Sequence, residues 1–199
     1  MHERMLYLTH PEVTIDPAIA APLWGLSPRG DARARAAAGA PWLARVTRIV
    51  ASAERKAVDC ARLFSAPRRL GVEIRADMGE NDRSATGFLP PAEFEQVADA
   101  FFAEPQTSVR GWERAIDAQA RILRAFVEVT TGSAHGGDLL LVGHGAVGTL
   151  LMCHLAGWPI ARAHDQKGGG GNVFAFDLTG RRMIHAWKPM EESTIGVAA

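Results

Sequence analysis

The segment Asp138–Gly143, with the sequence DLLLVG, constrains the fold more than any other part of the chain. Four consecutive aliphatic side chains between an aspartate and a glycine are typical of a strand that is buried on both faces of a parallel sheet. The apolar residues continue from 147 to 155 in a pattern that indicates a helix. Because a buried strand followed closely by a helix is the building unit of layered α/β proteins, this segment predicts that class.

Strands and helices are predicted to alternate along the rest of the chain. Short runs rich in apolar and β-branched residues predict five more strands, at residues 5–9, 46–50, 72–74, 173–176 and 182–187. Apolar residues at helical spacing predict helices at residues 57–64, 94–101 and 112–129. A further helix is expected between Ser27 and Gly39, which have the chemistry of an N-cap and a C-terminal stop. This order predicts a three-layer α/β/α sandwich with a central mixed, mainly parallel sheet.

Length and composition narrow the class of protein. At 199 residues the chain has the length of one domain, and we expect residues 1–199 to form a single domain. Its 22 Lys and Arg residues balance 22 Asp and Glu residues, so no overall field favours nucleic acid or an anionic membrane as a partner. No run of about 18 apolar residues suggests a membrane span, and we expect a cytoplasmic protein. Cys60 and Cys153 are expected to be buried thiols rather than a disulfide framework.

Unusual polar residues follow three of the predicted strands. His10 follows LYLT, Ser52 and Arg55 follow RIVA, and His144 follows LLLVG. Ligands of open α/β sheets bind outside the carboxyl ends of the strands, so we expect two imidazoles and a guanidinium to meet there. An imidazole nitrogen can attack phosphorus, and the guanidinium fork matches the geometry of phosphate oxygens. The three strand ends therefore predict a site for a phosphoryl group.

Four segments fall in an order and spacing that resemble a known family. LYLTHPEV, SAERKAVDCA, MGEND and LLLVGHGAVG are similar to the Arg-His-Gly, Ser-Pro-x-x-Arg, Leu-x-Glu and Ser-His-Gly motifs of the histidine phosphatase superfamily, which includes phosphoglycerate mutases. The segment LSPRGDARARAAAG also looks like the first helix of that family. The resemblance extends from the first strand to the helix after Gly145 and implies a phosphoglycerate mutase-like fold.

The resemblance also implies roles for four residues. His10 matches the histidine that becomes phosphorylated, Arg55 a phosphate-binding arginine, and His144 the second histidine of the pocket. Glu80 matches the proton donor. Two more carboxylates on the same segment are alternatives for that role: Asp77 and Asp82. The family works through a phosphohistidine intermediate and needs neither a metal nor another cofactor.

Two residues beside His10 depart from the family pattern. Thr9 stands where the family has an arginine, and Pro11 stands where it has a glycine. Thr9 can donate a hydrogen bond to phosphate but brings no charge, so another cation is needed there. The candidates for this cation are Lys167, which precedes the glycine run 168–171, and Arg83.

Two functions are compatible with these residues. The first is a phosphomonoester hydrolase that acts through phosphohistidine on a small phosphorylated metabolite or a phosphoprotein. A phosphatase is favoured over a mutase because the segment 80–111 is short for a mutase's substrate cap. The second function, motivated by Thr9, is binding of a phosphorylated ligand or a protein partner with little or no turnover. The sequence does not indicate the oligomeric state.

Two other enzyme classes have weaker support. Residues 143–148 satisfy the G-x-G-x-x-G pattern of dinucleotide-binding proteins, but no acidic residue ends a second strand at the expected distance. A metal hydrolase built on His10 and His144 lacks the H-x-H or H-x-x-x-H spacing typical of zinc ligands.

Overall fold

A computed structural model of the chain describes residues 2–131 and 136–194. The strands in this part of the chain are β1 (Arg4–Thr9), β2 (Val46–Ser52), β3 (Val72–Arg75), β4 (Asp138–Gly143), β5 (Asn172–Asp177) and β6 (Arg182–Pro189). The α-helices are α1 (Pro28–Ala37), α2 (Arg55–Ser65), α3 (Pro91–Ala103), α4 (Ala115–Thr130) and α5 (Gly145–Ala156). Each predicted strand and helix is present, with boundaries that shift by a few residues.

One sheet joins all the strands of the described residues, in the order β3-β2-β4-β1-β5-β6. β1, β2, β3 and β4 pair in parallel, whereas β5 is antiparallel to both β1 and β6. The predicted mixed, mainly parallel sheet is confirmed. The expectation of a single domain over residues 1–199 stays a prediction.

Alternate side chains of the central strands build a core on each face of the sheet. Tyr7 and Leu141 face the layer formed by α3, α4 and α5, where Phe101, Ile122 and Leu150 are buried. Leu6 and Leu140 face the opposite layer, where α1 and α2 lie. Because β1 and β4 are covered on both faces, their sequences are continuously apolar. The three-layer arrangement confirms the predicted α/β/α sandwich.

The longest helix begins later than the sequence pattern predicts. α4 starts at Ala115, whereas the predicted helix starts at Trp112. Trp112 has extended backbone angles and is buried, and its indole nitrogen donates a 2.9 Å hydrogen bond to Thr86 Oγ1. The apolar ring therefore joins the core from a turn before the helix, which explains why it fits the helical spacing without being helical.

Other expectations concern the cysteines and the membrane. Cys60 and Cys153 are both free and buried, as predicted. Among residues 2–131 and 136–194, no helix is long and apolar enough to cross a bilayer.

The carboxyl ends of β1, β2 and β4 lie side by side at one edge of the sheet. In the register of the parallel pairs, Thr9 is opposite Gly143, and Ala51 is opposite Val142. The residues that follow these strands are therefore neighbours, as expected for a ligand site in an α/β sheet.

Candidate active site

His10 is held by its backbone at the end of β1. Its amide donates to the carbonyl of Gly143 at 3.0 Å, and its carbonyl accepts from the amide of Gly171 at 3.1 Å. Its ring Nδ1 lies 2.8 Å from the carbonyl oxygen of Pro11. Because a carbonyl oxygen only accepts, Nδ1 carries the hydrogen and Nε2 keeps its lone pair in the neutral ring. Nε2 is thus prepared to act as a nucleophile.

The surroundings of His10 keep its imidazole neutral. The pKa of His10 is lowered to about 3, chiefly by burial and then by the neighbouring His144, with a smaller contribution from the positive charge of Lys56. The hydrogen bond to Pro11 and the charge of Glu80 act in the opposite direction but are smaller effects. A neutral imidazole is the form that can attack an electrophile.

His144 lies beside His10, with the two ring centroids 5.3 Å apart. The side chain is fully buried, its Nε2 is 2.8 Å from Ser52 Oγ, and burial lowers its pKa to about 3. The backbone is clamped by Tyr7, whose hydroxyl accepts from the amide of His144 at 3.1 Å and donates to its carbonyl at 3.3 Å. His144 Nδ1 is buried without a hydrogen-bond partner among the described residues. A buried unpaired nitrogen is unusual, and a ligand oxygen would satisfy it.

The cation beside these histidines is Lys56 and not Arg55. The Arg55 side chain is 66% exposed and lies 3.6 Å from Asp59, so the expected meeting of a guanidinium with the two imidazoles does not occur in this structure. The Lys56 side chain is 4% exposed. Its ammonium donates to the carbonyl of Ala21 at 2.8 Å and forms an ion pair with Glu54. Lys56 lies on the buried face of α2 and Arg55 on its exposed face, which is the physical reason for the difference.

Glu80 is the carboxylate of its segment that reaches the end of β4. Its two oxygens accept hydrogen bonds from the amides of Ala146 (3.2 Å) and Val147 (3.0 Å) in the first turn of α5. An anion is favoured there because the free amides and the helix dipole point towards it. In a dinucleotide-binding protein with the G-x-G-x-x-G pattern, amides at this helix start would bind the pyrophosphate. Here the carboxylate of Glu80 occupies them.

The two alternative carboxylates point elsewhere. Asp77 forms two hydrogen bonds with Arg75, at 3.0 and 2.7 Å, and these lower the pKa of Asp77. Asp82 accepts from the amide of Ser84 at 2.8 Å, which lowers the pKa of Asp82. Of the three, Glu80 alone is hydrogen-bonded to the helix that follows His144.

Thr9 is buried and directed away from the two imidazoles. Its hydroxyl donates to Gln166 Oε1 at 2.7 Å and accepts from the amide of Asn172 at 3.0 Å. The Gln166 amide covers Gly145, because a Cβ added to Gly145 would be 2.4 Å from Gln166 Nε2. The Thr9 hydroxyl is therefore used to join β1 to the chain before β5.

The two proposed compensating cations occupy different positions. Lys167 is exposed and lines a cavity of about 580 Å³ with Trp158 and Trp187, and His10 is not among the residues that line it. In the glycine run after Lys167, the amide of Gly171 donates to the carbonyl of His10, so this amide is not available to an anion. Arg83 lies over the rings of Phe94 and Trp112, and its charge helps to lower the pKa of His144.

Sequence reasoning missed several residues of the site. Lys56 could have been found, because it is four residues before Cys60 and so shares the buried face of α2. Glu54, Tyr7 and Gln166 had no such signal, because their roles depend on contacts between distant segments. Among the described residues, no group of three or more His, Cys, Asp or Glu side chains is arranged to hold a metal ion.

Comparison with known proteins agrees with this geometry. A family model described as the histidine phosphatase superfamily (branch 1) matches residues 23–187. The match includes Glu80 and His144 and begins after the Thr9-His10-Pro11 segment. No curated protein sequence matches the chain.

Solved structures share the fold. A mycobacterial glucosyl-3-phosphoglycerate phosphatase superposes with a TM-score of 0.75 and 22% identity, covering 93% of this chain and 98% of that one. Bacillus stearothermophilus YhfR gives 0.74 and 18%, covering 94% and 95%. The alpha-ribazole phosphatase from Shigella flexneri gives 0.67 and 19%, covering 98% and 100%. The mycobacterial phosphatase has also been solved with inorganic phosphate and with VO3.

The family model covers most of the chain, and the sheet order places two histidines at adjacent strand ends, as the motifs predicted. The chain belongs to the histidine phosphatase superfamily, branch 1.

Proposed function

We propose that this protein hydrolyses a phosphomonoester through a phosphohistidine intermediate on His10. The observation that carries the proposal is the pair of neutral imidazoles whose centroids are 5.3 Å apart. His10 has its Nδ1 hydrogen fixed on the Pro11 carbonyl and its Nε2 free, and His144 has a buried nitrogen without a partner among the described residues. The substrate is a small phosphorylated metabolite or a phosphoprotein.

The reaction would proceed in two displacements at phosphorus. In the first, His10 Nε2 forms a bond to phosphorus while the bond to the ester oxygen breaks, and a carboxyl group protonates the leaving oxygen. The Pro11 carbonyl accepts from Nδ1 throughout, so it stabilises the positive charge that develops on the ring. In the second, the carboxylate takes a proton from a water molecule whose oxygen forms a bond to phosphorus, the N–P bond breaks, and phosphate is released with His10 and the carboxyl group restored.

Other residues would assist these displacements. His144 would donate from Nδ1 to an equatorial oxygen of the phosphoryl group, and Lys56 would supply a positive charge near it. Glu80 lies at the start of the helix that follows His144, and in its protonated form it would be the carboxyl group that protonates the leaving oxygen. Relatives named as phosphatases, one of them solved with phosphate and VO3, support a phosphoryl ligand.

A specific observation favours the second candidate function, which is binding without turnover. The Lys56 ammonium is already paired with Glu54, and the Thr9 hydroxyl is already bonded to Gln166 and Asn172. The pocket therefore holds less free positive charge than phosphoryl transfer usually uses. A phosphorylated ligand or a protein partner would then occupy the site without reaction.

Turnover and trapping of the intermediate separate the two functions. The purified protein is incubated with p-nitrophenyl phosphate to measure hydrolysis, and with phosphoramidate to detect acid-labile phosphohistidine. His10→Ala should abolish both signals, whereas His154→Ala, a change at an exposed histidine on α5, should keep both. Turnover by the wild type that is no higher than that of His10→Ala would contradict the hydrolase proposal and favour the binding function.

A further inference from the structure

Glu54 places a negative charge inside the candidate active site. Its Oε1 is 3.5 Å from His144 Nε2 and accepts from the amide of Glu80 at 2.8 Å. Its other carboxylate oxygen forms the ion pair with Lys56, and the side chain is 13% exposed. Nothing in the motifs of the family resemblance accounts for this carboxylate. Its contacts fix it between the second histidine and the buried ammonium group.

The charged groups around the two imidazoles balance one another. Glu54 precedes α2 and Lys56 lies in its first turn, and Glu80 and Arg83 lie on the segment after β3. Arg121 lies on α4 and is paired with Glu113. Lys56 is matched by Glu54, and Arg121 by Glu113 at 2.8 Å. Arg83 and Glu80 contribute one charge of each sign. Among the described residues, these six groups are three positive and three negative, so together they bring no net charge to the pocket.

A balanced pocket discriminates between ligands of different charge. The cost of moving an ion out of water rises with the square of its charge, so a dianion loses far more hydration than a monoanion. A pocket with surplus positive charge offsets that loss, whereas a neutral pocket does not. A hydrogen bond from His144 Nδ1 is available to either ligand, so it is the surrounding charge that distinguishes the two pockets.

We propose that Glu54 is a specificity-determining residue, which makes the pocket favour phosphoryl groups with a single negative charge over dianions. The ligand class is then phosphodiesters and singly charged phosphomonoesters. The inference rests on the proposed function in so far as His10 and His144 form a phosphoryl site. It does not require that the bound ligand is hydrolysed.

The pH dependence of binding should report the charge of the ligand. His10 and His144, with pKa values of about 3, stay neutral between pH 5 and pH 8. Burial raises the pKa of Glu54, but His144, Lys56 and the Glu80 amide lower it to about 2, so the carboxylate stays ionised. A change in affinity over this range that a singly charged ligand does not share therefore follows the second ionisation of the ligand.

Two small probes that cannot lose phosphate test the proposal. Methylphosphonate is mainly a dianion at pH 8 and a monoanion at pH 5, and its monomethyl ester is a monoanion at both. Titration calorimetry of the wild-type protein should show tighter binding of methylphosphonate at pH 5 than at pH 8, and little change for the ester. Glu54→Gln should tighten methylphosphonate at pH 8 by about tenfold or more, with a smaller effect on the ester. Glu104→Gln, at an exposed glutamate after α3, is the matched control and should leave both affinities unchanged.

Several results would overturn the proposal. If Glu54→Gln unfolds at the same denaturant concentration as the wild type but leaves the ratio of the two affinities at pH 8 unchanged, Glu54 does not set the preference. If the variant does not fold, the wild type still decides, because tighter binding of the dianion than of the ester at pH 8 contradicts the inference. If neither probe binds wild type or variant, the pocket is not a phosphoryl site, and both proposals are wrong. A charge preference without turnover contradicts only the proposed hydrolysis.

Discussion

The carbonyl oxygen of His10 accepts a hydrogen bond from the amide of Gly171 at 3.1 Å, so the glycine run before β5 packs against the backbone of His10. Gly170 approaches the same carbonyl so closely that a Cβ there would lie 2.2 Å from it. Of the glycine run, Gly170 is therefore the residue at which a side chain would displace His10.

Gly170→Ala should displace His10 and lower activity. The new methyl group would collide with the His10 carbonyl, and the φ of +84° at residue 170 adds backbone strain. We expect a loss of about 1–3 kcal/mol in the free energy of unfolding, measured by urea denaturation, and a marked fall in turnover. Gly169→Ala is the control, because residue 169 also has a positive φ, of +72°, but no atom within 4 Å of the added methyl group. Equal effects of the two substitutions would contradict a specific contact with His10.

Arg55 and Lys56 should respond very differently to substitution. Arg55→Gln removes a side chain that is 66% exposed, and we expect kcat/KM on an aryl phosphate to stay within about twofold. Lys56→Gln removes the buried ammonium group beside the histidines, and kcat/KM should fall by about 10²-fold. Circular dichroism of both variants would confirm that the comparison is made on folded protein. A larger loss for Arg55→Gln would restore the role that the motif comparison gave to Arg55.

The fold was predictable because each strand and helix carries its own local signal. The buried strand β4 and the N-cap Ser27, which accepts from the amide of Gly30, are recognisable from adjacent residues. The two histidines were predictable because the carboxyl ends of parallel strands meet at one edge. Lys56 was missed because the motif comparison gave the arginine position to Arg55, whereas Ser-Pro-x-x-Arg counted from Ser52 places that position at Lys56.

Other parts of the site depend on contacts that no local pattern records. The bond between Thr9 and Gln166 joins residues 157 positions apart. Glu54 is an unusual buried carboxylate, and its contacts with His144 and Glu80 arise only when three segments pack together. Periodicity and spacing describe single elements, so they could not predict these pairs.

The Thr9 hydroxyl should matter for stability even though it brings no charge to the site. Thr9→Val keeps the branched shape but leaves the buried amide of Asn172 without its acceptor, so we expect a loss of about 1–3 kcal/mol in the free energy of unfolding. Thr9→Ser keeps the hydroxyl and loses one methyl group, at a cost of about 1 kcal/mol. Denaturant unfolding of the three proteins measures both values. A valine variant as stable as the serine variant would show that the hydrogen bond to Asn172 contributes little.

The buried histidines should make the protein less stable as the pH falls. The pKa of His144 is about 3 in the folded chain and about 6.5 in an unfolded one, so below pH 6.5 the unfolded state binds a proton that the folded state does not. The free energy of unfolding should therefore decrease by up to about 1.4 kcal/mol per pH unit for this residue as the pH falls from 6.5 towards 3. His10 acts in the same direction.

The free energy of unfolding of the wild type and of His144→Gln, measured at a series of pH values, tests this pH dependence. The lowered pKa of Glu54 also makes the folded protein less stable in acid, mainly below pH 4.5, so the comparison is made between pH 6.5 and 4.5, and the difference between wild type and variant isolates His144. In that range of pH, His144→Gln should reduce the slope of the unfolding free energy against pH by about 1.4 kcal/mol per pH unit, which corresponds to one proton. An unchanged slope would mean that His144 is protonated in the folded protein.

The position of β1 in the sheet has a consequence for how the protein is made. Leu6 pairs with Leu140 on one side and with Ala175 on the other, so β1 is enclosed by two strands that leave the ribosome after it. Until those later strands emerge, the apolar run that carries His10 has no partner on either edge and is exposed to association with other chains. During synthesis, the segment that bears His10 therefore remains unpaired until strands made much later in the chain are available.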